Sequence, residues 1–182
     1  QVGKRGRRPK EFKPITISQA LEFKERFNYP VTVSLSLNAA FAATVKYQSE
    51  KTNPNISVTG GDANYLSVAG LSLVDGRNFT EPEVQSGRNL IILGNGMALK
   101  LFKKTSNAID QVVSVDNRKY RVVGVLEAKG ASSIFSSDNV VIIPLLNARQ
   151  EYATNESTYV ITVSVNSAYQ IEEAIAEASG LM

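Results

Sequence analysis

The chain carries a helix-start signal near each end, and next to each signal stands a segment that alternates between apolar and polar residues. Thr16 and Gln19 form a T-x-x-Q capping box, in which each side chain can satisfy a free backbone N–H of the other residue. Ser167 and Gln170 repeat this pattern before the last predicted helix. The chain therefore reads helix–strand–strand at one end and strand–helix at the other, with a mixed region between them.

The terminal segments show clear periodicity. The first helix is predicted to stop at Asn28-Tyr29-Pro30, and an alternating, half-buried strand follows from Pro30 with its serines on the solvent side. A second alternating strand is predicted over 159 to 165, and the last helix is predicted to stop at Gly180. Its apolar stripe consists of Ile171, Ala174, Ile175 and Ala178.

The middle of the chain is predicted to contain short strands and helices. Asp116-Asn117 tolerates positive φ and is predicted to be the turn of a hairpin. Residues 65 to 74 are ambiguous between helix and strand. The predicted strands are 42 to 48, 56 to 59, 90 to 93, 112 to 115, 120 to 126 and 140 to 143, and the predicted helices are 97 to 103 and 145 to 152.

Residues 1–13 are predicted to be a disordered basic linker, because they offer almost no apolar surface to bury. Six cations against Glu11 give this arm a charge of +5; the whole chain carries +3, so the remainder carries −2. No aromatic residue interleaves the arginines, and we do not expect nucleic-acid binding. No apolar run approaches the ~20 residues of a membrane span, and the start of the chain lacks the apolar region of a signal peptide.

Composition removes several kinds of chemistry. The chain has no cysteine and no histidine, so it lacks thiolate chemistry, the commonest general base and the commonest metal ligand. The carboxylates do not cluster in sequence: Asp110 and Asp116 flank one strand, and Glu172-Glu173 lies on a polar helix face. We therefore predict no catalytic residue, no metal site and no cofactor, and we do not expect the domain to be an enzyme.

One loop holds the pieces of a phosphate-binding loop in the wrong order. A Walker A loop needs G-x-x-x-x-G-K-[ST] followed by a helix, whereas here Lys129 precedes Gly130 and a strand follows Asp138. Two interpretations remain: a plain surface loop, or a partner-docking loop formed by Ser132, Ser133, Ile134 and Phe135. The docking interpretation depends on an apolar pair between serines, which is typical of contact sites. The same pair could instead pack onto the core.

Four segments taken in order resemble a known family. They are ISVTGGDANYLSVAGLSLVDGRNFT (56 to 80), NLIILGNGMALKLF (89 to 102), VVSVDNRKYRVVGVLEAKG (112 to 130) and DNVVIIPLLNARQEY (138 to 152). This order resembles the periplasmic core domain of MacB-type ABC transporter permeases, also called FtsX-like permeases. The resemblance covers most of residues 29 to 178, and KTNPN and the KGASS loop resemble Bacteroidetes-type versions.

The resemblance implies an α+β fold with two subdomains. A ferredoxin-like, porter-type part would be formed by both chain ends, residues 14–84 and 151–182, where the two capped helices lie. Residues 85–150 would form an inserted mixed α/β part of the Sabre type. The basic linker 1–13 would connect the first transmembrane helix to the capped helix at Thr16.

The resemblance also implies a role. The domain would lie outside the cytoplasmic membrane, between the first two transmembrane helices of a permease that forms a homodimer and works with a cytoplasmic ATPase. It would dock partners such as a periplasmic adaptor protein and relay ATP-driven motion, a mechanism called mechanotransmission. Macrolide or peptide export, lipoprotein release and signalling to cell-wall hydrolases all remain open. The alternative from another class is a free-standing extracytoplasmic ligand- or protein-binding module with a basic tether.

Overall fold

The computed structural model describes residues 13–28, 31–129, 137–165 and 169–181. These residues form a mixed α/β fold. The helices are α1 Ile17–Arg26, α2 Tyr65–Val68, α3 Glu81–Gln85, α4 Asn95–Phe102, α5 Leu145–Tyr152 and α6 Tyr169–Leu181. The strands are β1 Thr32–Ala43, β2 Val45–Tyr47, β3 Glu50–Lys51, β4 Ile56–Gly61, β5 Leu73–Gly76, β6 Leu90–Leu93, β7 Val112–Val115, β8 Arg118–Leu126, β9 Val140–Pro144 and β10 Tyr159–Ser164.

The described strands make one mixed sheet in which neighbours in space are often far apart in sequence. The order is β10-β1-β4-β9-β6-β8-β7-β2-β3, and β5 pairs with the second half of β8. β4 and β9 run parallel, as do β6 and β8, whereas the other paired strands are antiparallel. Segments from the predicted insert, 85–150, and from its two flanks share this sheet. Their division into two subdomains stays a prediction.

Local signals in the sequence are confirmed where the chain is described. Thr16 Oγ1 accepts a hydrogen bond from the Gln19 N–H at 3.3 Å, and Gln19 Oε1 accepts one from the Thr16 N–H at 3.0 Å, so the capping box starts α1. Asp116 and Asn117 have φ of 46° and 72°, which is the backbone conformation that a tight two-residue hairpin requires. The strand 90 to 93 and the helix 145 to 152 are also confirmed.

Three predictions at the chain ends meet a different outcome. β1 runs unbroken for 12 residues to Ala43, further than the alternation predicted. α6 continues through Gly180 rather than stopping there. Ile171 and Ile175, predicted for the buried stripe of α6, are 43% and 59% exposed, because α6 lies beside β10 at the outer edge of the sheet and only part of its stripe meets β1 and β10. The second capping box and residues 1–12 of the basic linker lie outside the described residues.

A close contact between a helix and the sheet requires glycine at one position of β4. Gly60 in β4 lies directly under Ala148 of α5, so a Cβ at Gly60 would overlap the Ala148 methyl group. Because residue 60 has no side chain, α5 can lie against β1 and β4 at backbone distance. A small residue on each element thus brings α5 onto the centre of the sheet.

A buried carboxylate joins α1 to the sheet. Asp62, directly after β4, is 3% exposed. Its Oδ2 accepts hydrogen bonds from Lys24 Nζ at 2.7 Å and from the Leu35 N–H at 2.9 Å. Its Oδ1 accepts bonds from Ser34 Oγ at 2.9 Å and from the Asn64 N–H at 3.1 Å. An ionised group can be buried when donors compensate its lost hydration in this way.

The same carboxylate explains why one serine departs from the predicted alternation. Ser34 was expected on the solvent side of its strand, but it is 1% exposed because it lies against Asp62. Asn64 adds a bond from its Nδ2 to the Val33 carbonyl at 2.9 Å. At Ser34, the side of β1 that sequence alternation marks as polar is therefore a buried polar contact with the loop after β4, whereas Thr32 on the same side is exposed.

We expect Asp62→Ala to destabilise the protein by about 2–4 kcal/mol, because it leaves buried donors without an acceptor. The measurement is the free energy of unfolding from denaturant titration. Glu25→Ala is the matched control, since Glu25 is an exposed acid on α1 and its loss should change stability by less than about 0.5 kcal/mol. Equal effects of the two substitutions would contradict the role assigned to Asp62.

Candidate functional site

The predicted partner-docking loop, Ser132, Ser133, Ile134 and Phe135, lies outside the described residues, but both of its flanks are described. On the N-terminal side β8 ends at Leu126, and on the C-terminal side a turn over Ser137–Asn139 leads into β9. Since β8 and β9 both pair with β6, the loop joins two strands that lie on either side of the same neighbour.

Both flanks of the loop are hydrogen-bonded to the first turn of α4. Asn95 Nδ2 donates to the Leu126 carbonyl at 3.2 Å, and the Gly96 N–H donates to Asp138 Oδ1 at 3.1 Å. A Cβ at residue 96 would stand 2.9 Å from the Asp138 carboxyl carbon, so glycine permits this approach. The free N–H groups at a helix start favour a carboxylate. These contacts hold the base of the predicted docking loop against α4.

The carboxylates that sequence analysis considered lie apart in two different surroundings. Asp110 lines a cavity with arginines, whereas Asp116 sits in the β7–β8 turn and accepts a bond from the Thr44 N–H at 3.0 Å. Within residues 13–28, 31–129, 137–165 and 169–181, no group of three or more acidic, histidine or cysteine side chains is placed to hold a metal ion.

An open cavity of about 700 Å³ lies beside β5 and β8, and we call it the arginine cavity. Its wall depends on Gly76, which has φ of +76° and packs against the Val123 carbonyl and Gly124, where a Cβ would overlap. Its lining combines basic, acidic and apolar residues: Gly76, Arg77, Glu83, Arg88, Asn89, Leu90, Ile109, Asp110, Arg121 and Val123.

One ion pair forms part of the lining of this cavity. Arg77 Nη1 and Nη2 each donate to a different carboxylate oxygen of Glu83, both at 2.8 Å. Glu83 also accepts a bond from the Thr80 N–H at 2.9 Å, which caps α3. The Arg77 guanidinium, followed by the bond from Thr80, lowers the pKa of Glu83 from 4.5 to about 2 although partial burial opposes this. This two-bond geometry is the specific form of arginine–carboxylate recognition.

The side chains of the other two arginines of the cavity have no bonding partner in the part of the chain that the structure describes. Arg88 and Arg121 are exposed, and among the described side chains neither has a hydrogen bond or an ion pair. With Arg77 they give the lining three positive charges against the two of Glu83 and Asp110. The cavity therefore has an excess of positive charge and two free guanidinium groups that can bind carboxylates or phosphates.

The helix α3 and its ion pair between Arg77 and Glu83 were not among the predicted features. The signal was present, because Thr80 and Glu83 have capping-box spacing and Pro82 stands in the first turn. Asp62 and Arg77 were part of a segment that resembles the family, but no role was predicted for either residue. Their roles depend on partners 38 and 6 residues away, which no local pattern connects.

The fold is that of the extracytoplasmic domains of ABC-type transporters. The extracellular domain of the transporter YknZ from Gram-positive bacteria superimposes with a TM-score of 0.70 at 27% identity, over 92% of this chain and 82% of that one. The periplasmic region of MacB from Actinobacillus actinomycetemcomitans gives a TM-score of 0.71 over 96% of this chain and 77% of that one; at 19% identity it supports the fold.

The chain belongs to the MacB-like periplasmic core domain family, whose model matches residues 1–181. Two curated relatives illustrate this. The pyoverdine export ATP-binding/permease protein PvdT of Pseudomonas fluorescens (strain Pf0-1) is 33% identical over 60% of this chain and 17% of its own length. The macrolide export ATP-binding/permease protein MacB of Chlorobaculum tepidum is 32% identical over 67% and 19%, respectively. The chain thus spans less than a fifth of these relatives.

The predicted resemblance is therefore confirmed, and with it the mixed α/β fold and the extracytoplasmic character of the family. None of the helices within the described ranges combines the length and the apolar character needed to cross a membrane.

We expect the Arg77–Glu83 pair to make stability depend on pH in the acid range. Because the folded pKa of Glu83 is about 2 and the unfolded value is 4.5, the pair stabilises the fold above pH 4.5, and this contribution is lost as the pH falls toward 2. Glu83→Gln should therefore be less stable than the wild type at neutral pH, with the difference shrinking on acidification. Denaturant unfolding at several pH values measures this.

Glu50→Gln is the control, because Glu50 is an exposed acid on β3. Its stability should follow the wild type at every pH. A difference between wild type and Glu83→Gln that stays constant down to pH 2 would contradict the assignment.

Proposed function

We propose that this chain is the extracytoplasmic domain of an ABC transporter permease, where it docks protein partners and relays ATP-driven motion across the membrane. Family membership supports the transporter assignment, and the relatives PvdT and MacB are named as ATP-binding/permease proteins for pyoverdine and macrolide export. The parent would be a homodimer in the cytoplasmic membrane that works with an ATPase and a periplasmic adaptor. Efflux and export of lipoproteins or peptides are its candidate activities.

The observation that carries this proposal is the position of the two described ends. Lys13 and Leu181 line one cavity of about 250 Å³. The segment before α1 is hydrogen-bonded to the start of β10: the Ile15 N–H donates to Thr158 Oγ1 at 2.9 Å, and the Tyr159 N–H donates to the Ile15 carbonyl at 3.0 Å. A domain inserted between two membrane-spanning helices needs adjacent ends, and this geometry meets that requirement.

A continuous structural connection supports the relay. α1 is tied to the sheet by the ion pair of Lys24 with Asp62, and Asp62 directly follows β4. β4 pairs with β9 over five residues, and β9 begins directly after the flank of the predicted docking loop. Displacement of α1 would therefore reach the loop base through hydrogen-bonded elements rather than through a flexible linker. This is a physical connection, and its coupling energy is a matter for measurement.

The relay predicts that the two domains of a dimer move when nucleotide binds. Lys104 lies exposed after α4, far from α1 in the sheet order. These 182 residues contain no cysteine, and any cysteine elsewhere in the full-length protein is replaced before labelling. We expect a spin label at Lys104→Cys in the full-length dimer to report different inter-subunit distances without nucleotide and with ATP in a hydrolysis-deficient variant. Pulsed electron–electron double resonance measures these distances, with a label on the ATPase as the positive control. Unchanged distances at Lys104, with changed distances at the ATPase, would contradict the relay.

The docking loop stays part of the proposal, and its test is Phe135→Ser. If Ile134 and Phe135 bury apolar surface against a partner, this substitution should weaken partner binding by about tenfold, the equivalent of one lost aromatic anchor. Co-purification with the adaptor encoded beside the parent gene measures this. Phe41→Ser is the matched control, since Phe41 is 71% exposed on β1. Unchanged binding and folding of Phe135→Ser would remove the loop from the interface.

A further inference from the structure

We propose that one side of the sheet formed by β2, β3, β7 and β8 binds an acidic segment of a partner protein. We call this surface the basic face and define it by Lys46, Lys51, Lys119 and Arg121. The inference deepens the proposed docking role. Its choice of a protein over a lipid surface as the occupant rests on that proposed function.

The strand register places the lysines in one row. Lys46 of β2 is the cross-strand partner of Lys51 in β3 and of Ser114 in β7, and Ser114 is the partner of Lys119 in β8. Directly paired residues project from the same side of a sheet with Cβ atoms about 5 Å apart. Three lysines therefore stand in a line across four strands, with one serine as the only neutral member of the row.

A second row continues the surface toward the arginine cavity. Arg121 of β8 pairs with Val112 of β7, two residues along each strand from Lys119 and Ser114, so both pairs project to the same side. Val112 is 49% exposed and supplies apolar surface among the cations. Arg121 also lines the arginine cavity beside Arg88, which extends the positive surface further.

The helices cover the opposite side of these strands. Arg118, next to Lys119 but facing the other way, bonds to Glu151 Oε2 at 2.6 Å at the end of α5. Tyr47, next to Lys46, packs against Phe102 of α4 with ring centroids 4.3 Å apart and the rings tilted by 42°. Because neighbouring residues of a strand alternate sides, α4 and α5 lie behind the sheet and the basic face points away from them. All four of its cations are exposed.

The cations of the basic face are not paired with acids in the described part of the chain. None of its four cations forms a salt bridge there. Glu50 pairs with Tyr47 and therefore lies on the helix side. Asp116 in the adjacent turn lines a cavity with Lys46 and Lys51 and accepts the Thr44 N–H, so one negative charge lies beside the four cations and leaves an excess of three. The face thus offers positive charge that the fold does not use.

Protection of a sheet edge is the competing explanation, and it accounts for only half of the face. Lysines on outer strands discourage edge-to-edge association, which suits Lys51 on β3 and Lys46 beside it. It does not suit Lys119 and Arg121, because β8 is an inner strand with partners on both sides. Like charges directly opposite each other, as in the Lys46–Lys51 pair, destabilise a sheet. An acidic ligand would relieve this repulsion.

The occupant is a protein segment rather than the membrane because of where the face lies. The described chain ends sit at the β10 edge. β7 stands six positions from β10 in the strand order, which at about 4.8 Å per strand is about 30 Å. If the ends join membrane-spanning helices, lipid headgroups lie near β10 and away from the basic face. Charge complementarity then selects an acidic polypeptide, for which Val112 is an apolar contact.

The test compares two variants of equal net charge. Lys46→Glu with Lys119→Glu reverses two charges of the basic face, and Lys100→Glu with Lys104→Glu reverses two exposed charges at the end of α4. We expect the wild-type chain to bind a fluorescent Glu-rich peptide at low salt. The basic-face variant should bind about tenfold more weakly, and the control variant should remain within about twofold of the wild type. Thermal unfolding of each variant verifies that it is folded.

Each outcome decides the proposal. Amide chemical-shift changes confined to β2, β3, β7 and β8 on peptide addition support it. No binding by the wild type, or equal weakening in both variants, overturns it. Binding of vesicles rich in phosphatidylglycerol through the same lysines, without peptide binding, also overturns it in favour of lipid. This assay tests the basic face in the isolated chain, whereas the distance measurement at Lys104 tests the relay in the full-length dimer. A negative peptide assay therefore overturns the basic face without overturning the relay.

Discussion

The fold depends on one buried carboxylate. Asp62 holds Lys24 of α1, the β1 backbone at Leu35 and the loop before α2 within a single set of hydrogen bonds. Each donor alone would be costly to bury, and so would the carboxylate, so the group is stable only when it is complete. This coupling places α1 against the sheet with little freedom. The connection between α1 and the sheet is therefore made by side chain–backbone and ionic bonds as well as by apolar packing.

Local sequence signals predicted the elements well and their assembly poorly. The capping box at Thr16, the turn at Asp116-Asn117 and the strand 90 to 93 could be predicted because each depends on a few adjacent residues. The strand order could not, because β9 reaches its place between β4 and β6 from about 80 and 50 residues further along the chain. The family resemblance supplied the fold class that periodicity alone did not.

The candidate sites also divide into one that could be predicted from adjacent residues and one that could not. The docking loop could be proposed from sequence because an apolar pair between serines is a local pattern. The basic face could not, because Lys46, Lys51 and Lys119 become neighbours only through strand register. The arginines divide in a similar way: Arg77 is committed to Glu83, whereas Arg88 and Arg121 are not. These arginines are equivalent in a count of charges. Only the geometry distinguishes a guanidinium that is bonded within the fold from one that can bind a partner.

The position of β9 has a consequence for the order of folding. In the sheet, β9 lies between β4 and β6, although its residues come much later in the chain than either of them. Loop closure over such separations is slow, and the parallel β4–β9 ladder cannot form until residues 140 to 144 are available. A chain that is threaded through a membrane from its N-terminal side would therefore stay translocation-competent until most of the domain has crossed. The topology thus makes the central part of the sheet depend on residues from the last third of the chain.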